Sequence, residues 1–147
     1  MRNSSKTVTA RRVQYGALPY RLSNGSRAEF MLVTSRETRR WIIPKGWPKK
    51  GKSPHQLAAR EAFEEAGVRG SIAKRSVGSF SYKKGLKEGG MVECEVRVFP
   101  LKVKRQSKEW PEKNQRKVKW LPAAKAAEKV KEPMLSKLIR RLARRYR

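Results

Sequence analysis

A layered domain of the α/β or α+β type built on a mixed sheet is the fold class the sequence predicts, and three observations carry it. Segments with strand character come first, one helical segment interrupts them, and further strands and then helices follow. The interrupting segment has both a helix start and a helix stop, at Ser53-Pro54 and at Gly67. The chain's 147 residues, 37% of them hydrophobic, suit one domain with a single modest core. An all-helical nucleic-acid reader does not fit that order.

Residues 1–10, rich in Ser, Thr and Lys, are expected to form a flexible basic arm, because they hold too little apolar surface to offset the entropy of ordering them. Residues 11–147 are expected to form the single folded domain. Aromatic and β-branched residues over 12–20, the turn Ser23-Asn24-Gly25-Ser26 and the apolar run 30–33 predict two strands. Trp41, Ile42 and Ile43 make a short strand stopped by Pro44, which has no N–H to give to a ladder. A Gly- and Pro-studded loop over 45–52 then leads to a helix. Ser53 is its expected N-cap, Pro54 lies in its first turn, and Gly67, free to turn left-handed, ends it after Ala66. Leu57, Ala58, Ala62 and Phe63 form its expected buried side.

Residues 77–83 and 91–101 are predicted strands joined by a turn over 84–90. In the second, Val92, Cys94, Val96 and Val98 alternate with Glu93, Glu95 and Arg97, the period of a half-buried strand. Residues 118–121 predict a last short strand, and Pro122 opens an alanine-rich helix. Met134, Leu135, Leu138, Ile139 and Leu142 then recur at helical spacing with Lys and Arg opposite them, which predicts a strongly basic terminal helix.

Thirty-eight Lys and Arg against 12 Asp and Glu give a formal charge of +26, more than solubility requires, so polyanionic partners are expected. Nucleic acid, anionic lipid and phosphorylated small molecules all qualify, since attraction to phosphate does not report what the phosphate is attached to. Cys94 is the single cysteine, which excludes an intrachain disulfide and, among valines, suits a buried inert thiol. The first residues lack the apolar stretch of a secretory leader and no run is long enough to span a membrane, so no transmembrane segment is expected and the cytoplasm is the expected location.

The chemistry concentrates in residues 46–68. Glu61 and Glu65 are four apart and Glu64 is three from Glu61, so a helix projects the three carboxylates over neighbouring surface. Three anions that close repel, and a divalent cation turns repulsion into coordination. Hard oxygen ligands favour Mg²⁺ or Mn²⁺, and such an ion can bridge phosphate oxygens and help ionise an attacking water. An ordinary solvent-facing helix with its glutamates paired to cations is the plain alternative.

Gly46, Arg60, Glu61, Ala62, Glu64, Glu65, Gly67 and Val68 stand at the offsets of the Nudix box, and the segment resembles that family's signature. The resemblance implies an α/β/α sandwich and Mg²⁺- or Mn²⁺-dependent hydrolysis of a phosphate–phosphate linkage. It makes Gly46, Glu61, Glu64 and Glu65 the metal site, Glu61, Glu64 and Glu65 the catalytic set with Glu64 the candidate base, and Arg60 and Gly67 structural. Lys52 departs from the pattern: it stands where the family has its first glutamate, so a brace onto Arg60 is replaced by two like charges. His55, the sole histidine, lies in the helix's first turn, away from the carboxylates.

The run Ser35-Arg36-Glu37-Thr38-Arg39-Arg40-Trp41 is similar to the matching stretch of diphosphoinositol polyphosphate phosphohydrolases. By that resemblance Ser35, Arg36, Arg40 and Lys45 line a phosphate cradle with Arg12 across from them; Lys83, Lys84 and Lys87 lie on a predicted turn that could lean over its mouth, and for each of these cations a solvated surface role is the equal alternative. The implied substrate is a highly anionic diphosphoinositol or diadenosine polyphosphate. Two other readings stand beside it. Trp47, Phe80 and Tyr82 could stack a base, which would suit nucleotide or RNA 5′ polyphosphates. Alternatively the site has decayed and Lys137, Arg140, Arg141, Arg144 and Arg145 make the chain a basic binding module that docks on RNA or an anionic membrane. Glu93, Glu95 and Glu109 are candidates for a further ligand or base, and monomer and homodimer both remain open.

Overall fold

The computed structural model describes residues 12–23, 25 and 27–146; the predicted arm over 1–10 lies outside them. The strands are β1 Arg12–Leu22, β2 Ala28–Thr34, β3 Trp41–Ile42, β4 Lys45–Gly46, β5 Val68–Ile72, β6 Gly78–Gly85, β7 Met91–Gln106 and β8 Val118–Pro122. The helices are α1 Pro54–Ala66, α2 Ala123–Lys129 and α3 Pro133–Arg144.

All the strands join one mixed sheet. At its centre β1 runs parallel to β7, from Arg12 opposite Cys94 to Tyr20 opposite Lys102. β7 is long enough to hold two antiparallel partners on its other edge. Residues 91–98 of β7 pair with β6, and residues 101–106 pair with β5 across a register shift at Arg69/Gly70. On the other side β1 meets β2 only from Tyr20 to Leu22. Its earlier residues Tyr15 and Gly16 pair instead with Gly46 and Lys45 of β4, and Ala17 N–H donates to the Pro44 carbonyl at 3.0 Å. That split inserts β4 against the centre of the sheet, which brings Gly46 over α1.

α1 covers one layer, packing on β1, β4 and β5, while α2 and α3 cover β2, β8 and β6. With both faces buried, the middle of β1 shows no alternation: residues 16–20 are all buried. The predicted α/β/α sandwich is the observed architecture. In β7 the expected alternation holds, with Val92, Cys94, Val96 and Val98 at most 3% exposed.

Several expectations need correction. Residues 45–46 are a strand and not the start of a loop, and β5 was not predicted at all. Phe80 is 2% exposed and belongs to the core, so it cannot stack a base. Phe63 is only half-buried, with the Arg69 guanidinium 3.9 Å over its ring. No described helix is long and apolar enough to cross a membrane.

Candidate active site

α1 starts and stops as its sequence dictates. The Ser53 N–H donates to Gln56 Oε1 at 3.0 Å, Pro54 occupies the first turn, and Gly67 caps the end at φ 74°. A Cβ on Gly67 would lie 2.3 Å from the Trp110 ring, so the position demands glycine twice over. Trp110 belongs to the β7–β8 connection, which is sewn to α1 by Ser107 N–H to Gly67 O at 2.8 Å and Glu112 N–H to Glu64 O at 3.0 Å.

Glu61 and Glu65 come together under β4. A Cβ at Gly46 would sit 2.4 Å from the Glu61 carboxyl carbon, so only glycine lets that carboxylate lie against the strand. The Lys45 N–H reaches Glu65 Oε2 at 3.4 Å, and the two carboxyl groups hydrogen-bond each other. Burial pushes Glu65 up to about 8, against the pull of Arg116 and Lys45, and Glu61 shifts up for the same first reason, aided by Glu64 and Glu112. Two carboxyls so placed hold a proton between them unless a cation takes its place.

Glu64 does not join this pair. Its Oε2 accepts from Arg60 Nε at 2.8 Å on the outer side of the helix, in a groove also lined by Lys52. Among the described residues no set of three ligating side chains converges. A divalent ion nevertheless fits the donors present: Mg²⁺ commonly takes one or two carboxylates plus water and substrate phosphate, and Glu61, Glu65 and the Gly46 backbone are hard oxygen donors beside an open depression.

Cations face the pair. Arg116, its side chain 9% exposed, donates to Glu112 Oε1 at 2.7 Å and to the Thr34 carbonyl at 3.1 Å, and its Nη2 stands 3.8 Å from Glu65 Oε2. Lys45 reaches over the Tyr82 ring at 5.2 Å, and Tyr82 donates to Gln14 Oε1 at 2.7 Å. Burial lowers the pKa of Lys45 while Glu65 raises it. Arg36, Lys45, Lys84 and Arg116 line both the depression over the carboxylates and a second one bounded by Ser35, Arg40, Tyr82 and Lys83. The two are therefore one cleft with acid at its floor and cations along its length.

The 35–40 turn is internally tied. The Ser35 hydroxyl bonds that of Thr38, the Ser35 N–H donates to Arg40 O at 2.8 Å, and Arg39 takes φ 59°. Arg36 donates to the neutral Gln115 side chain at 2.8 Å and keeps its charge for the cleft. Arg40 donates to Glu132 Oε2 at 2.8 Å, so its charge is largely answered within the protein.

Of the residues the sequence singled out, Ser35, Arg36, Arg40, Lys45, Gly46, Glu61 and Glu65 thus meet at the cleft. Arg12 is exposed at the start of β1 and lines neither depression. His55 bonds Ser53 Oγ at 3.2 Å, and Glu109 pairs with Lys113 at 3.2 Å; neither lines the cleft, nor do Glu93 and Glu95. Trp47 is 38% exposed beside the carboxylates and Tyr82 lines the outer part. Arg116, Glu112, Gln115 and Glu132 escaped sequence reasoning. They lie in stretches dense with charge and without period, where no residue stands out from its neighbours.

The sandwich thus sets a carboxylate pair on one helix against a cation-lined cleft. The NUDIX domain profile matches residues 11–142, and the chain belongs to that family. It is 27% identical to Nudix hydrolase 12, mitochondrial, of Arabidopsis thaliana over 80% of this chain and 65% of that protein, and 34% identical to Nudix hydrolase 21, chloroplastic, over 77% and 57%. The chain thus spans about two-thirds or less of those relatives' length. Their names specify mitochondrion and chloroplast, and give the expected cytoplasmic location no support.

A shorter match, 45% identical, joins 35% of this chain to 32% of diphosphoinositol polyphosphate phosphohydrolase 3-beta of Bos taurus. Among solved structures, the Ap4A hydrolase of C. elegans superposes with a TM-score of 0.62 at 21% identity over 90% of this chain and 96% of that one. The dihydroneopterin triphosphate pyrophosphohydrolase of E. coli gives 0.67 at 16% over 92% and 98%. At those identities the likeness is one of fold.

Proposed function

We propose that the chain is a Mg²⁺-dependent pyrophosphohydrolase that cleaves a phosphate–phosphate linkage in a compact, highly anionic substrate, of which a diphosphoinositol polyphosphate is the best fit and a diadenosine polyphosphate the next. The observation that carries this reading is the continuity of the cleft: Arg36, Lys45, Lys84 and Arg116 run from the acidic floor to the 35–40 turn. Several phosphates on one small molecule can engage these cations while one linkage lies over Glu61 and Glu65. The short match to the bovine enzyme supports the same substrate class.

In this reading Glu61 and Glu65 hold the ion beside Gly46. When bound, the ion supplies a Lewis acid for phosphate oxygens and lowers the pKa of a coordinated water. Arg116 is fixed by Glu112 and Thr34, so its guanidinium meets developing negative charge without reorganising. Lys45, partly desolvated, acts from the opposite wall. Glu64, the candidate base, faces outward onto Arg60 and would have to exchange that contact to take a proton from the attacking water. Arg40 shapes the turn through Glu132 and contributes less charge than Arg36.

Initial rates of phosphate release at matched Mg²⁺ test the assignment. An inositol pyrophosphate should be cleaved faster than a simple nucleoside triphosphate, and the reverse ranking refutes the substrate class.

A further inference from the structure

Helix α3 carries a concentration of charge that the cleft does not use. Residues 133–146 contain no carboxylate. Leu135, Leu138, Ile139 and Leu142 are buried, which leaves Lys137, Arg140, Arg141, Arg144 and Arg145 exposed. Two rows result, Lys137–Arg141–Arg145 and Arg140–Arg144, each rising about 6 Å per four-residue step.

Several carboxylates elsewhere in the chain take cationic partners, as Glu29 does Arg21, Glu112 does Arg116 and Glu132 does Arg40. Among the described residues none of the five α3 cations has an ion pair. Arg141 donates to the Val77 carbonyl at 3.3 Å, which lays the helix beside the turn where Lys74 and Arg75 are exposed and extends the basic face. Like charges this close repel one another, salt screens them in part, and a bound polyanion relieves the repulsion further.

The chemistry narrows the partner. The apolar stripe of α3 is spent on the core, so the helix has no face to insert into a lipid bilayer. Tyr146 stacks on Tyr20 at 5.2 Å between ring centroids and bonds its hydroxyl at 2.8 Å, so it offers bases no platform. Cations without stacking groups recognise a backbone and not a sequence.

We propose that the exposed face of α3, with Lys74 and Arg75, docks a nucleic-acid strand through its phosphodiester backbone, with no base preference. This surface is separate from the cleft and the proposal does not depend on the hydrolase reading.

The test is fluorescence anisotropy of labelled 20-nucleotide RNA and DNA strands, of uniform base, between 50 and 200 mM salt. A variant carrying Lys137→Gln, Arg140→Gln, Arg141→Gln, Arg144→Gln and Arg145→Gln is set against an equal-charge control carrying Lys102→Gln, Lys104→Gln, Lys108→Gln, Lys117→Gln and Lys119→Gln. Thermal unfolding verifies that both fold. The slope of log affinity on log salt should become shallower by about 3 to 4 in the α3 variant, at about 0.7 per lost phosphate contact, and by less than about 1 in the control. Equal losses in the two variants would make the attraction diffuse and overturn the proposal. So would unchanged binding by the α3 variant, a tenfold preference among bases, or loss of binding to phosphatidylserine vesicles with RNA binding intact.

Discussion

Glu65 is where opposing forces meet in this molecule. Burial favours its neutral form, Arg116 and Lys45 favour its anion, and burial wins, holding its pKa at about 8. A carboxyl whose folded pKa exceeds its unfolded value contributes stability that is full below the unfolded pKa, near 4.5, and is lost as pH rises through about 8. Without divalent metal the melting temperature should therefore fall between pH 5 and 8. Mg²⁺ should restore more of it at pH 8 than at pH 5, and Glu65→Gln should flatten both trends; a metal effect independent of pH in wild type contradicts this. Arg116 makes the complementary case. Arg116→Met leaves Glu112 without its cation and Glu65 with Lys45 alone, and should cost about 3 kcal/mol in chemical denaturation, whereas Arg36→Ala, bonded only to Gln115, should leave stability within about 0.5 kcal/mol and act on KM. Glu61 and Glu65 were legible from helix spacing together with the box offsets, which grouped Glu64 with them although its carboxylate turns outward onto Arg60. Arg116 was not, because its place under the carboxylates comes from the path of the β7–β8 connection, which no local pattern encodes.

At the scale of the element, α1 and its flanks decide how the carboxylates are presented. Gly67→Ala must force a side chain into the left-handed region and into the Trp110 ring, and should cost about 2 to 4 kcal/mol, read as a shifted denaturation midpoint. Lys52 shares an outer groove with Arg60 and Glu64. Lys52→Glu offers Arg60 a second carboxylate and loosens its hold on Glu64. An exposed pair of this kind is weak, so metal-dependent turnover should rise by no more than about fivefold; a fall would mean that the Arg60–Glu64 contact supports the reaction. α1 was readable at both ends because its cap residues are local devices. β5, with the sequence Val-Arg-Gly-Ser-Ile, buries only Val68 fully, so it has no alternation to read and exists because β7 offers it an edge. β4 likewise exists through its pairing with β1.

Across the whole molecule, the sheet's split between β1 and β2 is what turns a helix with glutamates into a site. It admits β4 and lets Gly46 and Lys45 descend on α1, while the β7–β8 connection closes the other wall with Glu112 and Arg116. Order of elements predicted the layers, but the split is a tertiary solution to packing and left no trace in the sequence. Part of the +26 charge lines this cleft and part the outer face of α3, and the rest is spread over the remaining surface. The Glu61–Glu65 pair is the proposed seat of a divalent ion, and Mn²⁺ binding followed by electron paramagnetic resonance tests it without any substrate. Wild type should bind Mn²⁺ saturably and give it up to Mg²⁺, and Glu65→Gln should weaken that binding at least tenfold. Saturable binding that Glu65→Gln leaves intact, or no saturable binding in wild type, would contradict it.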